Sequence, residues 1–313
     1  MVKAALKSIA VQCLERLPPG VQRSAIERFA ARVDAYDIFQ SLGRAYGVKD
    51  LRIAGRYGLI EGSIEDGSIL ANYGRTKSWA ASTTGLLIDF FRTHGRGTYL
   101  DIGANIGLTT IPVADRSDVA CLAFEPEPTN YRYLDGNIRR NCPHGNVELF
   151  DIALFDRPAT VDFELSKQNL GDHRIHVDGH DGAFSEGTRE IIRVRAEKLD
   201  ALIGSRKLTT PLAAKIDTQG TECQVFAGGA QTLGRADFVA FEYWPYGIRR
   251  ANGDVGFLAS FVAEHFSQGA IANGDSREIP PWQPIAAIAK HIAAFGAAAS
   301  DAPYPYNDIF VRK

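Results

Sequence analysis

Residues 99–107 read Tyr-Leu-Asp-Ile-Gly-Ala-Asn-Ile-Gly, an apolar strand that ends on an acid, Asp101, and runs into a turn where Gly103 and Gly107 open a helix. A dinucleotide-binding turn receives a pyrophosphate at the helix N-terminus, where the macrodipole and free amides favour an anion, so a carboxylate in the turn works against it. A cationic ligand suits this turn better, because Asp101 attracts it and the glycines let the backbone come close. S-adenosylmethionine fits that description, with a sulfonium, an α-ammonium and no phosphate. The spacing agrees: the third glycine of the G-x-G-x-x-G dinucleotide pattern, needed for close helix packing, is replaced by Leu108.

The next apolar run, Val119 to Phe124, ends in Glu125-Pro126, twenty-four residues after Asp101. That interval is one strand-helix-strand step, and an acid at the tip of the second strand is placed to accept hydrogen bonds from a ribose diol. Nicotinamide enzymes use the same device, so Glu125 argues for an adenosine ligand without naming it.

Five segments in order, Tyr99–Ala114, Ala123–Ile138, Phe150–Asp156, Lys215–Glu222 and Phe238–Tyr246, carry a resemblance to the FkbM-type family of S-adenosylmethionine-dependent methyltransferases, over Leu59 to Lys313. The first two are shared with many class I methyltransferases, whereas Lys-Ile-Asp-x-x-Gly-x-Glu at 215–222 is characteristic of the family. The resemblance implies a class I, Rossmann-like α/β fold with a seven-stranded, mostly parallel sheet. It also implies methyl transfer to a hydroxyl of a sugar, glycan or related secondary metabolite. By resemblance and position, Asp101, Gly103, Asn105 and Gly107 are assigned to the methionine half of the cofactor, Glu125 and Pro126 to the ribose side, and Asp151 and Ile152 to the adenine. For Asp151 a plain cap or turn role stays open.

The 313 residues suffice for one doubly wound domain and a smaller appendage. Thirty-five basic and thirty-seven acidic residues give a net charge of −2, which offers nucleic acid or anionic lipid no general attraction. Cys13, Cys121, Cys142 and Cys223 form no C-x-x-C pair and read as reduced thiols of a cytoplasmic protein. Gln12, Glu15 and Arg16 interrupt the first apolar run before it becomes a signal peptide, and Lys290 and His291 break the Ala-rich segment, so no membrane span is expected.

Helical stripes are expected at Leu6–Leu17 and Ile26–Val33, available for packing on this chain or on a twin subunit as a homodimer. Alternation over 51–73 around Glu65-Asp66-Gly67-Ser68 predicts a β-hairpin. Residues 1–95 are thus expected as a helical and hairpin extension, and 96–313 as the methyltransferase domain. The main sheet is expected from strands 98–102, 119–124, 146–152, 212–217, 236–242 and 308–312, with a helix over 106–115. Segments 159–165 and 189–195 are expected as an extra hairpin around a polar loop, and an Ala-rich helix runs from Ile285 to Phe295.

Methyl transfer needs alignment, a deprotonated acceptor and exclusion of water. His173 in the 169–176 loop is the first candidate base, because its unperturbed pKa suits proton removal near neutrality. Asp217 either acts as base, holds the acceptor or caps the helix beginning near Thr221. Glu242 precedes Tyr243-Trp244-Pro245-Tyr246, whose rings serve either a sugar or the core. His176 and His180 with Asp172, Asp178 and Asp181 are an alternative metal cluster, and Asp217 with Glu242 an alternative Mg2+ site. A catalytically silent cofactor-binding assembly module is the competing reading, and a nicotinamide oxidoreductase is disfavoured by Asp101 and the missing glycine.

Overall fold

The computed structural model describes residues 35–177, 182–273, 281–298 and 303–313. The expected helices within 6–33, and with them the twin-subunit contact, lie outside these residues. Strands β1 (Asp50–Gly55) and β2 (Gly58–Ser63) pair antiparallel and turn at Arg56-Tyr57, not at Asp66-Gly67. The Asp66 carboxylate instead accepts the backbone N–H groups of Ser68, Ile69 and Leu70 at 2.9, 3.1 and 2.8 Å, which starts the helix Ile69–Thr76. Asp-Gly suits a turn or a helix start equally well, and here the helix claims it.

Next come β3 (Gly97–Ile102), β4 (Val119–Phe124) and β5 (Val147–Phe150), parallel neighbours, followed by β6 (Ala153–Leu154), β7 (Ala159–Leu165), β8 (Arg174–Ile175) and β9 (Glu190–Glu197). β7 and β9 pair antiparallel, the expected hairpin, and with β6 and β8 make a separate four-stranded sheet in the order β6-β9-β7-β8. The chain then returns to the main sheet through β10 (Leu212–Ile216), β11 (Phe238–Tyr243), β12 (Gln268–Asn273), β13 (Gln283–Pro284) and β14 (Asn307–Arg312).

The main sheet has eight strands among the described residues, in the order β13-β12-β14-β11-β10-β3-β4-β5, rather than seven. β12, Gln-Gly-Ala-Ile-Ala-Asn, has one β-branched residue and no alternation, so its pairing with β14 supplies the strand that its composition does not announce. The five strands β11, β10, β3, β4 and β5 run parallel, with β14 antiparallel against β11.

β3 is buried on both faces, as parallel sheets require. Leu100 and Ile102 pack on one side with Phe226, Phe261 and Ile288, and Tyr99 on the other with Phe91, Ile111 and Leu134. Each such fully buried apolar side chain contributes about 1.5–3 kcal/mol. The helix Ala81–His94 adds Leu87 and Phe91 to the second cluster, so residues before and after 95–97 share one core. The helix expected over 106–115 shortens to Thr110–Ala114, because Asn105 (φ 52°) and Gly107 (φ 93°) hold the preceding residues in successive turns.

Candidate active site

The parallel order reverses between β3, which continues to β4, and β10, which continues to β11. A crevice opens outside the carboxyl ends of these strands, where an open doubly wound sheet binds ligands. A narrow cavity of about 80 Å³ lies beside the glycine turn, and a chamber of about 590 Å³ lies beyond it. The two share Trp79, Gly171, Lys215, Asp217 and Gln219 as walls.

Gly103 needs its left-handed φ of 78°, and a Cβ there would stand 1.9 Å from the Asp217 carbonyl oxygen. Asn105 lines the cavity, and its backbone N–H donates to Glu125 Oε2 at 2.9 Å. Gly107 does not line it. Its φ of 93° is a left-handed value that favours glycine, so it shapes the turn from outside the cavity wall, which corrects its assignment to a cofactor contact.

Asp101 requires a larger correction. Its carboxyl is fully buried beneath the turn and lines neither cavity. Oδ2 accepts the hydroxyls of Thr109 and Thr110 at 2.7 and 2.6 Å, and Oδ1 lies 3.6 Å from Lys215 Nζ. The charge therefore reaches the crevice through Lys215, whose ammonium donates to the Gly103 carbonyl at 2.6 Å and lies 3.5 Å from Asp217. Burial pulls the Lys215 pKa down, but Asp217, Asp101 and Glu125 outweigh it and keep the ammonium charged.

Glu125 lines the cavity, with Oε1 accepting Glu127 N–H at 2.9 Å, and burial pushes its carboxyl up to about 7. Pro126 and Ile152 also line it, together with Phe124, Leu154 and Phe163, an apolar slot beside Glu125. Asp151 is exposed and outside it: alternation turns Ile152 inward and the preceding acid to solvent.

Asn130 carries no sequence signal and still belongs to the site. Its Nδ2, like that of Asn105, donates to the Leu170 carbonyl at 2.9 Å, while Oδ1 is buried in the cavity wall without a partner. A buried acceptor left unpaired in a ligand crevice awaits a donor.

His173 lines the narrow cavity, but its Nδ1 accepts the Ser166 N–H at 2.9 Å. The ring hydrogen is therefore on Nε2. Burial and then Arg189 push the imidazole down to about 4. A neutral ring with its one basic nitrogen occupied is a hydrogen-bond donor, which corrects the reading of His173 as general base.

Asp217 and Glu242, at the tips of neighbouring β10 and β11, are brought together by one amide. Gln219 Nε2 donates to Asp217 Oδ1 at 2.7 Å and to Glu242 Oε2 at 3.1 Å, from a residue held at φ 57°. Asp217 does not cap the helix Glu222–Gly228: its Oδ1 accepts from Gln219 and its Oδ2 lies 3.5 Å from Lys215 Nζ, while Glu222 takes the Thr218 and Gly220 N–H groups ahead of the helix. Glu242 lies in the chamber wall, and burial, then Asp217, Glu222 and Asp308, hold its carboxyl well above the usual range.

Of the four residues after Glu242, Trp244 lines the chamber, while Tyr243 is buried with its hydroxyl on the Ile292 carbonyl at 2.6 Å. Phe184 packs edge-on to Trp244 and Tyr304, with ring centres 5.5 and 5.4 Å apart. A buried ionic network holds this wall. Arg174 reaches Glu164, Glu186 and Asp172 at 2.8, 3.1 and 3.2 Å, and Arg250 reaches Glu164 at 3.0 Å. His176 contacts Glu164 at 3.0 Å in that network. His180, Asp178 and Asp181 lie outside the described residues, and among the described residues no group of three His, Cys, Asp or Glu is placed to hold a metal ion. Neither metal alternative gains support.

Fold and crevice together define an α/β, Rossmann-like protein with its ligand site at the strand-order switch. The chain belongs to the FkbM methyltransferase family: the Methyltransferase FkbM domain matches residues 101–265, just over half of it. It is 26% identical over 159 residues to the 2-O-methyltransferase NoeI of Sinorhizobium fredii, covering 46% of this chain and 62% of that protein. It is 28% identical over 142 residues to the hexuronic acid methyltransferase AglP of Haloferax volcanii, covering 45% and 54%. A segment of the AMB antimetabolite synthetase AmbE of Pseudomonas aeruginosa is 31% identical over 159 residues, 41% of this chain and 7% of that protein. The chain thus matches between 7% and 62% of the lengths of these relatives. Among the described residues no helix is long and apolar enough to cross a membrane.

Proposed function

We propose that the protein is an S-adenosylmethionine-dependent O-methyltransferase acting on a sugar or sugar-like hydroxyl, with Asp217 as the proton acceptor. The observation that carries this reading is the position of Asp217, on the wall common to the narrow cavity and the chamber and tied through Gln219 to Glu242. The cavity fits the cofactor by its donor set. Glu125 is available to accept the ribose hydroxyls, the apolar slot with Pro126 and Ile152 flanks the adenine, and the unpaired Asn130 Oδ1 accepts from the nucleoside. Glu125 and Asp217 in the wall, with Asp101 beneath the turn, outnumber Lys215, the one lysine or arginine in that wall among the described residues, a balance that favours a sulfonium over a pyrophosphate.

Held by Asn105, Glu125 and Asn130, the cofactor would supply an electrophilic methyl group on a cationic sulfur for the acceptor's O–CH3 bond, the sulfur keeping the S–CH3 electron pair as a neutral thioether. Asp217 takes the hydroxyl proton as that bond forms. Gln219 fixes the carboxylate, Lys215 holds Asp217 against the Gly103 turn, and Glu242 keeps its proton to higher pH and hydrogen-bonds the acceptor. His173 donates from Nε2 at the edge of the cavity. Positioning supplies most of the acceleration.

NoeI and AglP are named as methyltransferases of a 2-O position and of a hexuronic acid, which supports a carbohydrate acceptor. Titration calorimetry with S-adenosylmethionine and with NAD, followed by radiolabel transfer to a neutral carbohydrate pool, tests the reading. Binding of the first ligand and label in sugar are expected; binding of NAD alone overturns it, and cofactor binding without transfer to any acceptor favours the silent module.

A further inference from the structure

Resting on that reading, we propose that the acceptor is an oligosaccharide of at least two rings, with the ring to be methylated beside Trp79 and Asp217 and the next ring on Tyr304. The two aromatic surfaces differ in place. Trp79 lies with Asp217 on the wall common to the narrow cavity and the chamber, the point of transfer in that reading. Tyr304 lines the chamber and not the cavity.

An exposed tyrosine by itself is ordinary surface, but Tyr304, 73% exposed, stands on a fixed backing. Phe184 meets its ring edge-on with centres 5.4 Å apart, and the same Phe184 meets Trp244 and Tyr246 at 5.5 and 5.6 Å. Trp244 is 6% exposed, and its Nε1 donates at 2.7 Å to the carbonyl of Pro303, the residue before Tyr304. The Arg174 guanidinium lies 4.9 Å from the Trp244 ring centre and is tied to Glu164 and Glu186 at 2.8 and 3.1 Å. Trp244 thus belongs to the packed layer, and Tyr304 is the ring which that layer presents to the chamber. A ring held in this way before the ligand arrives loses little freedom on binding.

The C–H groups of a pyranose are slightly positive and settle on the negative face of an aromatic ring. The chamber, about 590 Å³, lies near the middle of the roughly 300–1,000 Å³ of sites that take drug-sized ligands, more room than one pyranose needs. Asn72, Gln168 and Asn169 also line it and bring amide groups suited to sugar hydroxyls.

The test uses the full-length protein, radiolabelled S-adenosylmethionine and the oligosaccharide fraction of a cell-extract carbohydrate pool, half of it intact and half hydrolysed by acid to monosaccharides. Label is expected in the intact half, with at least about tenfold less in the hydrolysed half at equal sugar content. In Tyr304→Ala, labelling of the intact half should fall roughly tenfold at low acceptor concentration and recover at saturating acceptor, while the Kd for S-adenosylhomocysteine and the melting temperature stay close to wild type. Tyr304→Phe, which keeps the ring, should regain most of what the alanine variant loses. Equal or greater labelling of the hydrolysed half overturns the proposal, as does an alanine variant that labels the intact half as well as wild type at low acceptor, or a loss that saturating acceptor does not repair. A parallel loss of cofactor affinity in Tyr304→Ala would assign the residue to the fold and also overturn it. Label in neither half, with cofactor binding intact, overturns carbohydrate methylation itself and this acceptor with it.

Discussion

Replacing Glu125 by glutamine tests the cofactor site most directly, because one side chain there carries both an affinity and a pH dependence. The carboxylate accepts the N–H groups of Asn105 and Glu127, both at 2.9 Å, and each oxygen keeps a lone pair for a ribose hydroxyl. Hydrogen bonds to a charged group contribute about 1.5–3 kcal/mol each. Glutamine removes the charge and turns an amide NH2 toward one of those N–H donors, so the loss is about 2–4 kcal/mol, or roughly 30- to 1,000-fold in Kd. Burial pushes the Glu125 carboxyl up to about 7, so half of it is ionised at that pH. About a tenth is ionised one unit lower, and the wild-type Kd should weaken about fivefold between pH 7 and 6.

Without ligand the sign reverses. A carboxyl whose pKa is raised in the fold stabilises the protein fully below its unfolded value near 4.5, and this contribution is lost as pH rises through about 7. The wild-type melting temperature should therefore fall from pH 6 to 8, and less steeply in Glu125→Gln. Calorimetric titration with S-adenosylhomocysteine at pH 6, 7 and 8, with thermal melts alongside, measures both effects. A wild-type Kd that does not vary with pH, or a variant within threefold of wild type, would refute the placement of the ribose on Glu125.

Asp217→Asn should lower kcat at least about 100-fold while S-adenosylhomocysteine affinity stays within threefold; comparable losses in both would make Asp217 a cofactor residue instead. His173→Asn, which retains an amide at the Nδ1 position beside Ser166 N–H, should leave kcat within about tenfold and the pH-rate profile unchanged in shape, whereas loss of a limb of that profile with a ~100-fold drop would restore a base role. Asn130→Ala should weaken cofactor binding about tenfold by calorimetry, one hydrogen bond's worth, with unaltered affinity showing that Oδ1 meets no ligand.

What could be read from the chain was local. The glycine turn, the acid one strand step later, the alternation of strands and helices and the Lys215–Glu222 motif each depend on residues a few positions apart, whose spacing is set by the helical and strand periods. Those features brought the fold class, the family, and Glu125, Pro126 and Ile152 at the crevice within reach. The direction and charge state of side chains were settled elsewhere. Asp101 is turned under by Thr109, Thr110 and Lys215, and His173 is made a donor by a single backbone N–H from Ser166. Gln219 joins carboxyls from two strands, and the Glu164–Arg174–Arg250 network links residues up to 86 positions apart. A carboxylate or an imidazole has no fixed role of its own; its partners and its distance from water decide whether it binds, takes a proton or simply holds the chain, and those are brought together only by the packed sheet.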